Sequence, residues 1–302
     1  MHSQNSIIDI HHHAIFQNHK ANLKLPAWSI ESDQEAMERM GISGALLSLP
    51  ISGPQDVIRK INSSLADLYN FNPAKYGMLA SLPMANIDAA LAEIDFAIHQ
   101  LRADGFILPT NYQGIYLGSE SLVPVLSELN RQNAVVLIHP TQPAGDNLPT
   151  FDRDLSVYEY PLETTRSVMD LVYKNRLAQF PNIKWIISHA GGAIPYLAYR
   201  LSIAAEWNGI TQTPAEINSS LKSLYFDLAL STSPAVFSSL QQLVTSDHIL
   251  FGTDFPLRFE QYVSGSMDEV NCFKGFTPID KSFIFSETAQ SLFARFNICI
   301  GK

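Results

Sequence analysis

A chain of 302 residues with a formal net charge of -9 can bury one large core, and its acidity argues against a nucleic-acid surface, which needs clustered Lys and Arg. Two cysteines, Cys272 and Cys299, cannot build a disulfide framework and sit in no paired metal-binding spacing, so they read as inert thiols. No basic segment followed by an apolar stretch opens the chain, and no apolar run approaches the ~20 residues of a membrane span, so a soluble cytoplasmic protein with no membrane partner is expected.

The first element runs from Ile7 to His13, a β-branched apolar stretch that turns abruptly imidazole-rich. Alternate side chains of a strand share a face, so His11 and His13 project together and His12 points away. Ala14 to Ile30 has no sustained period and includes Pro26; it reads as a loop over the mouth of the site, with Phe16 and Trp28 as candidate pocket walls. Ser32 or Asp33 then caps a helix through Met40, Gly41 stops it, and Gly44 to Leu49 is a second strand. Pro54 opens a helix to about Tyr69, Tyr76 to Leu82 is the third strand, Ile87 to Leu101 has helical apolar spacing, and Gly105 to Leu108 is the fourth strand.

Pro109 to Gly118 is rich in turn formers and aromatics, a candidate specificity loop before a helix from Leu122 to Arg131. The fifth strand, from Val135, ends at His139. Thr141 to Tyr160 is a second long loop, of the kind that serves as a lid or binding segment. A helix from Pro161 to about Phe180 leads to the sixth strand, which starts at Ile183 and ends at His189. Gly191-Gly192 lets the backbone approach a ligand before the helix from Ile194. Leu224 to Leu230 is the seventh strand, Pro234 to Val244 its helix, and Ile249 to Thr253 the eighth, ending at Asp254. Asp280 to Phe296 has the spacing of a closing helix.

Residues this far apart converge only if their strands lie parallel and side by side, each presenting its C-terminal end to one site. The expected fold is therefore an α/β single domain over residues 1–302, a (β/α)8 TIM barrel with a metal site at the C-terminal ends of the strands. A doubly wound sheet alternates in the same way but gives no reason for ligands at the first, fifth, sixth and eighth strands. Three imidazoles and a carboxylate suit a borderline divalent ion such as zinc, with one position left for water or substrate. Taken singly, His139 and His189 are more often satisfied buried histidines, and Asp254 before Phe-Pro a turn former. Together, the ligand reading prevails. Asp9 is expected to hydrogen-bond internally, and His2, His12, His19, His99 and His248 to be surface or core residues.

The His-x-His pair, His139, His189 and the Gly-Thr-Asp at Asp254 resemble the amidohydrolase superfamily across the whole barrel. Ser188 to Tyr196 and Phe251 to Pro256 resemble its metal-dependent decarboxylase branch, typified by aminocarboxymuconate semialdehyde decarboxylase. Pro109 to Tyr112, Tyr116 to Gly118, Glu128 to Arg131 and Ala134 to Pro140 are most similar to methylsalicylate decarboxylases. The resemblance implies one zinc per chain, or another divalent metal such as manganese, held by His11, His13, His139 and Asp254, with His189 and Asp254 in the chemistry. It also implies a homodimer in which Arg200, in the helix after His189, reaches across the interface to the substrate carboxylate; a solvated helix charge is the competing reading of Arg200. Binuclear hydrolases of the superfamily often carry a carbamylated lysine on the fourth strand, and Gly105 to Thr110 has none. Some decarboxylases of the branch have Glu for the first His of the pair, and this chain does not. The expected reaction is non-oxidative decarboxylation of a small aromatic or unsaturated carboxylic acid. Hydrolysis of a small lactone or amide is the alternative with the same ligands; a catalytically dead scaffold would lack ligands, and none is missing.

Overall fold

The apolar runs pair side by side in the computed structural model, which describes residues 6–16, 28–145, 148–149, 151–204 and 210–300. In chain order the strands are β1 Ile8–His13, β2 Gly44–Ser48, β3 Tyr76–Ala80, β4 Gly105–Pro109, β5 Asn111–Tyr112, β6 Ile115–Tyr116, β7 Val135–His139, β8 Lys184–Ile187, β9 Tyr225–Asp227 and β10 Ile249–Leu250. Strands β5 and β6 form a small antiparallel hairpin inside the expected specificity loop. The other eight form one parallel sheet in the order β1-β2-β3-β4-β7-β8-β9-β10. No ladder joins β10 to β1. The ring closes there through Ile10 N to Phe251 O at 3.2 Å, Asp254 N to His11 O at 2.9 Å and His13 N to Phe255 O at 2.7 Å. On the other side of β1, its ladder with β2 shifts register between Asp9 and His12, and such irregularities commonly re-aim side chains beside active sites.

Strands buried on both faces need apolar residues on both. Ile8, Ile10, Leu46, Leu79, Ile107, Leu137, Ile186 and Leu250 fill the barrel interior, and Phe293 and Phe296 from the C-terminal tail close its lower end. The larger outer core lies between the strands and the helices α1 Ile30–Met40, α2 Gln55–Phe71, α3 Ile87–His99, α4 Val123–Arg131, α5 Glu159–Tyr173, α6 Arg176–Gln179, α7 Ile194–Ile203, α8 Pro214–Lys222, α9 Pro234–Leu243 and α10 Glu260–Cys272. Among the described residues no helix is long and apolar enough to cross a membrane.

Several boundaries differ from the sequence expectation. Helix α1 is capped by Ser29, in a capping box with Ser32, rather than by Ser32 or Asp33. Asp33 points inward instead, because its carboxylate accepts from His12, Trp28 and Tyr76. The expected Pro161 to Phe180 helix is two helices, since Asn175 adopts a left-handed conformation (φ 58) between α5 and α6. The seventh strand stops at Asp227, and Leu230 (φ 53) has already left the sheet. The closing helix is broken into α11 Pro278–Ser282, a π-turn at Phe283–Glu287 and α12 Thr288–Leu292; the extended Phe293 then turns the tail into the barrel floor. Helices α8 and α10 have no counterpart in the sequence reading, although Thr213 and Glu216 form a capping box around Pro214. Residues 17–27, with His19 and Pro26, lie outside the described residues, as do His2 and the Cys299 side chain. Cys272 is exposed.

Candidate metal centre

Four side chains from three parts of the chain meet where the strands end. His11 and His13 come from β1, His139 ends β7 and Asp254 follows β10; all are buried, and one ligand-type atom from each lies within 4.8 Å of all the others. The His11 ring centroid stands 5.0 Å from that of His13, 5.1 Å from His139 and 5.0 Å from His189.

The second nitrogen of each imidazole decides what the first can do. His11 Nδ1 lies 2.8 Å from Asp227 Oδ2, and His139 Nδ1 donates to the Pro140 carbonyl at 2.8 Å. Ser48 Oγ donates to the His12 carbonyl at 3.2 Å, so it accepts from His13 Nδ1, also at 3.2 Å. With all three δ nitrogens donating, all three ε lone pairs face the common centre. Nε2 of His11 and Nε2 of His139 are buried without a hydrogen-bond partner, and His13 Nε2 is 3.1 Å from Asp254 Oδ1. Buried polar atoms left this way each cost about 1–3 kcal/mol, and a divalent cation would satisfy them together. The donor set fits such an ion.

Electrostatics point the same way. Burial favours neutral His11, but the carboxylates of Asp227, Asp254 and Asp9 outweigh it and raise its pKa to about 9. A cation entering the cluster takes the place of that proton. Burial pushes Asp254 up, yet the close approach of His13 Nε2 and the nearby imidazoles outweigh it and hold the carboxyl well below its usual range. Burial, reinforced by the neighbouring His11, lowers His189 to about 4, so this imidazole is neutral near pH 7. Burial likewise pulls His13 and His139 down.

His189 stands on unusual backbone. His189, Ala190, Gly191 and Gly192 have φ of 54, 55, 75 and 60, four left-handed residues in succession. At Gly192 a Cβ would lie 2.0 Å from the Pro161 carbonyl oxygen, so the turn packs directly onto α5. Asp254 is also left-handed, with φ 63, and Leu257 N donates to its carbonyl at 3.0 Å. Its turn-forming and ligand-bearing characters therefore coincide, and such strain collects at functional sites.

His12 points away from the cluster, with Nδ1 2.8 Å from Asp9 and Nε2 2.9 Å from Asp33. His248 stacks on Tyr225, and His99 is exposed near Asp95. Trp28 lines a cleft of about 690 Å³ with Asp33, Arg39, Phe255 and Phe259, and none of the four clustered residues is part of its lining. Phe16 is half-buried against the outer core. Arg200 is exposed on α7 and stands outside the buried cluster of its own chain. Sequence reasoning does not single out Asp227, although an acid closing an apolar strand is the same signal that picks out Asp254. It also passes over Ser48 and Thr253, whose roles depend on neighbouring strands.

A parallel barrel with three imidazoles and a carboxylate at its strand ends defines a metal-site barrel. The chain belongs to the amidohydrolase family, which it matches over residues 8–295, and this bears out the resemblance visible in its motifs. It is 34% identical over 296 aligned positions to the 6-methylsalicylic acid decarboxylase acuB of Aspergillus aculeatus, covering 85% of this chain and 88% of the relative. A crystal structure of an amidohydrolase II superposes with a TM-score of 0.87 at 26% identity, covering 95% of this chain and 99% of the other. The dihydroxybenzoic acid decarboxylase of Polaromonas sp. JS666, solved with manganese and 2-nitroresorcinol, shares the fold with a TM-score of 0.78 at 19% identity, covering 96% of this chain and 97% of the other.

Proposed function

We propose that the protein is a metal-dependent, non-oxidative decarboxylase of a small aromatic carboxylic acid of the hydroxybenzoate type. The observation that carries this reading is the set of three ε lone pairs and the Asp254 carboxylate aimed at one point beside a neutral His189. The 34% identity to a 6-methylsalicylic acid decarboxylase supports the substrate class. His11, His13, His139 and Asp254 would hold one zinc, or manganese in its place. A divalent ion there supplies a Lewis acid for the carboxylate and an adjacent hydroxyl of the acid.

The rest falls to the chain's own side chains. His189 relays a proton from the mouth to the ring carbon that bears the carboxylate. The carbon–carbon bond then breaks, its electrons restore the aromatic ring, and carbon dioxide leaves. Burial of the imidazole keeps it neutral between turnovers and ready to take up the next proton. Arg200 is assigned to the substrate carboxylate of a partner subunit in a homodimer. Tyr196, Tyr199 and Arg200 share one face of α7, with the tyrosines 84% and 77% exposed, and Tyr and Arg are the residue types enriched at interface hot spots.

Hydrolysis of a lactone or amide has less support, since β4 reads Gly-Phe-Ile-Leu-Pro and offers no lysine to a second metal. The test is elemental analysis of protein purified without added metal, followed by assay of hydroxybenzoates for released carbon dioxide and of small lactones for ring opening. About one metal per chain with carbon dioxide release is expected. Ring opening alone, or full turnover without metal, would overturn the reading.

A further inference from the structure

Asp227, the last residue of β9, is wholly buried and uses both carboxylate oxygens. Oδ2 lies 2.8 Å from His11 Nδ1. Oδ1 accepts two main-chain N–H groups, His189 N at 3.0 Å and Ala229 N at 2.9 Å. Gly252 leaves room for this arrangement, since a Cβ there would stand 2.8 Å from His11 Cβ and 3.4 Å from Asp227 Cγ. One carboxylate thus touches both the ring of a metal-type ligand and the backbone of the histidine assigned to the proton.

We propose that Asp227 is a positioning residue that dictates which nitrogen of His11 carries the proton and, through its other oxygen, holds the left-handed turn of His189; this rests on the metal reading of the cluster. Main-chain N–H groups only donate, so the atom at the Oδ1 position must be an acceptor. In Asp227→Asn the two donors therefore hold the amide oxygen at that position and leave the amide nitrogen facing His11 Nδ1. A side-chain NH2 group only donates. His11 Nδ1 must become the acceptor, and the ring proton moves to Nε2, the atom that faces the cluster. A protonated nitrogen cannot ligate, so exchanging one oxygen for one nitrogen disables the ligand without displacing it.

Asp227→Ala acts differently. His11 is then free to carry its proton on either nitrogen, so metal binding weakens less. The two buried N–H groups lose their acceptor, so the fold weakens more. The two variants are ranked oppositely by the two measurements, whereas a carboxylate with only a structural role would rank them alike.

The experiment measures Zn2+ affinity by chelator competition, thermal unfolding, and the protonation of His11 Nδ1 by 15N NMR on wild type, Asp227→Asn and Asp227→Ala. The Asn variant is isosteric and keeps both main-chain bonds, so it folds. The expected result is a protonated Nδ1 in wild type with or without Zn2+, an unprotonated Nδ1 in Asp227→Asn, and Zn2+ affinity at least 10–100-fold weaker in that variant, about the range for losing a partner behind a metal ligand. Asp227→Ala should fall between the two in affinity and below both in thermal stability. A protonated Nδ1 in Asp227→Asn, or Zn2+ affinity in that variant equal to wild type or tighter than in Asp227→Ala, overturns the role given to Asp227 and leaves the metal reading standing. A wild-type chain that takes up no Zn2+ and no Mn2+ overturns the metal reading itself.

Discussion

Thr253 and Asp9, 244 residues apart, are joined twice across the seam between β10 and β1: Thr253 Oγ1 donates to Asp9 Oδ2 at 2.5 Å and Thr253 N to Asp9 Oδ1 at 3.1 Å. Asp9 also accepts from His11 N at 3.1 Å, so a single buried carboxylate ties together the segments that carry His11 and Asp254. Thr253→Val removes the hydroxyl and keeps the shape. It should lower unfolding free energy by about 1–3 kcal/mol in urea titration and loosen metal binding with it. A variant as stable as wild type would show that the seam does not depend on this bond.

Ligands and the proton-handling histidine should separate experimentally. His11→Ala and His139→Ala each delete a nitrogen of the cluster and should lose metal and turnover together. His189→Ala should retain most of its metal while turnover drops roughly 10²–10⁴-fold, the range for a general acid or base. Metal content and rate are to be measured on one preparation. Loss of metal from His189→Ala as complete as from His139→Ala would make His189 a ligand.

Alkaline stability should report on His12, which lies buried between Asp9 and Asp33. Burial favours its neutral form, but Asp33 and Asp9 outweigh it and raise its pKa from 6.5 to about 10. The folded chain therefore holds this proton more tightly than the unfolded chain does. The resulting stabilisation is complete below the unfolded value of 6.5 and is lost as pH rises through about 10. Urea unfolding across this window should show falling stability in wild type and a flatter profile in His12→Gln. Parallel profiles would remove His12 as the cause.

Gly192→Ala tests the turn beneath His189. The added methyl would meet the Pro161 carbonyl oxygen at 2.0 Å, and φ of 60 disfavours any L side chain. The turn or α5 must shift, with an expected loss of about 3 kcal/mol or more in unfolding free energy and a larger proportional loss of turnover. Wild-type activity in this variant would show that the His189 backbone tolerates displacement.

Arg200 makes a prediction for mixtures. If it serves the partner's site, Arg200→Ala and His189→Ala, each inactive alone, should regain activity when co-refolded, because a mixed dimer contains one site with both wild-type residues. A mixture that stays inactive, or a chain that sediments as a monomer with full turnover, would place Arg200 outside the chemistry.

The strand ends were legible because burial on both faces makes each barrel strand a continuous apolar run, and a polar ligand at its close breaks the pattern abruptly. His139 and His189 stand out for this reason, and His11 and His13 through the period of two. Asp227 was hidden because Leu228-Ala229-Leu230 carries the apolar run beyond it and places it inside the expected strand, whereas the strand ends there, and its importance lies in a bond to β1 that no local pattern encodes. The closing helix shows the opposite case. Its apolar spacing was real, but the tail must also deliver Phe293 and Phe296 to the barrel floor, and that demand breaks the helix. Helix α10 was invisible because its face is largely polar and its N-cap, Phe259, makes no side-chain hydrogen bond.

The seam between β1 and β10 also sets an order of events during synthesis. His11 and His13 emerge from the ribosome first, His139 follows, and Asp227 and Asp254 arrive only when most of the barrel has been made. Until the last strand docks, the imidazoles have neither the carboxylate that completes them nor the one that aims His11. A stalled or clipped chain that stops short of β10 is therefore inert rather than partly active.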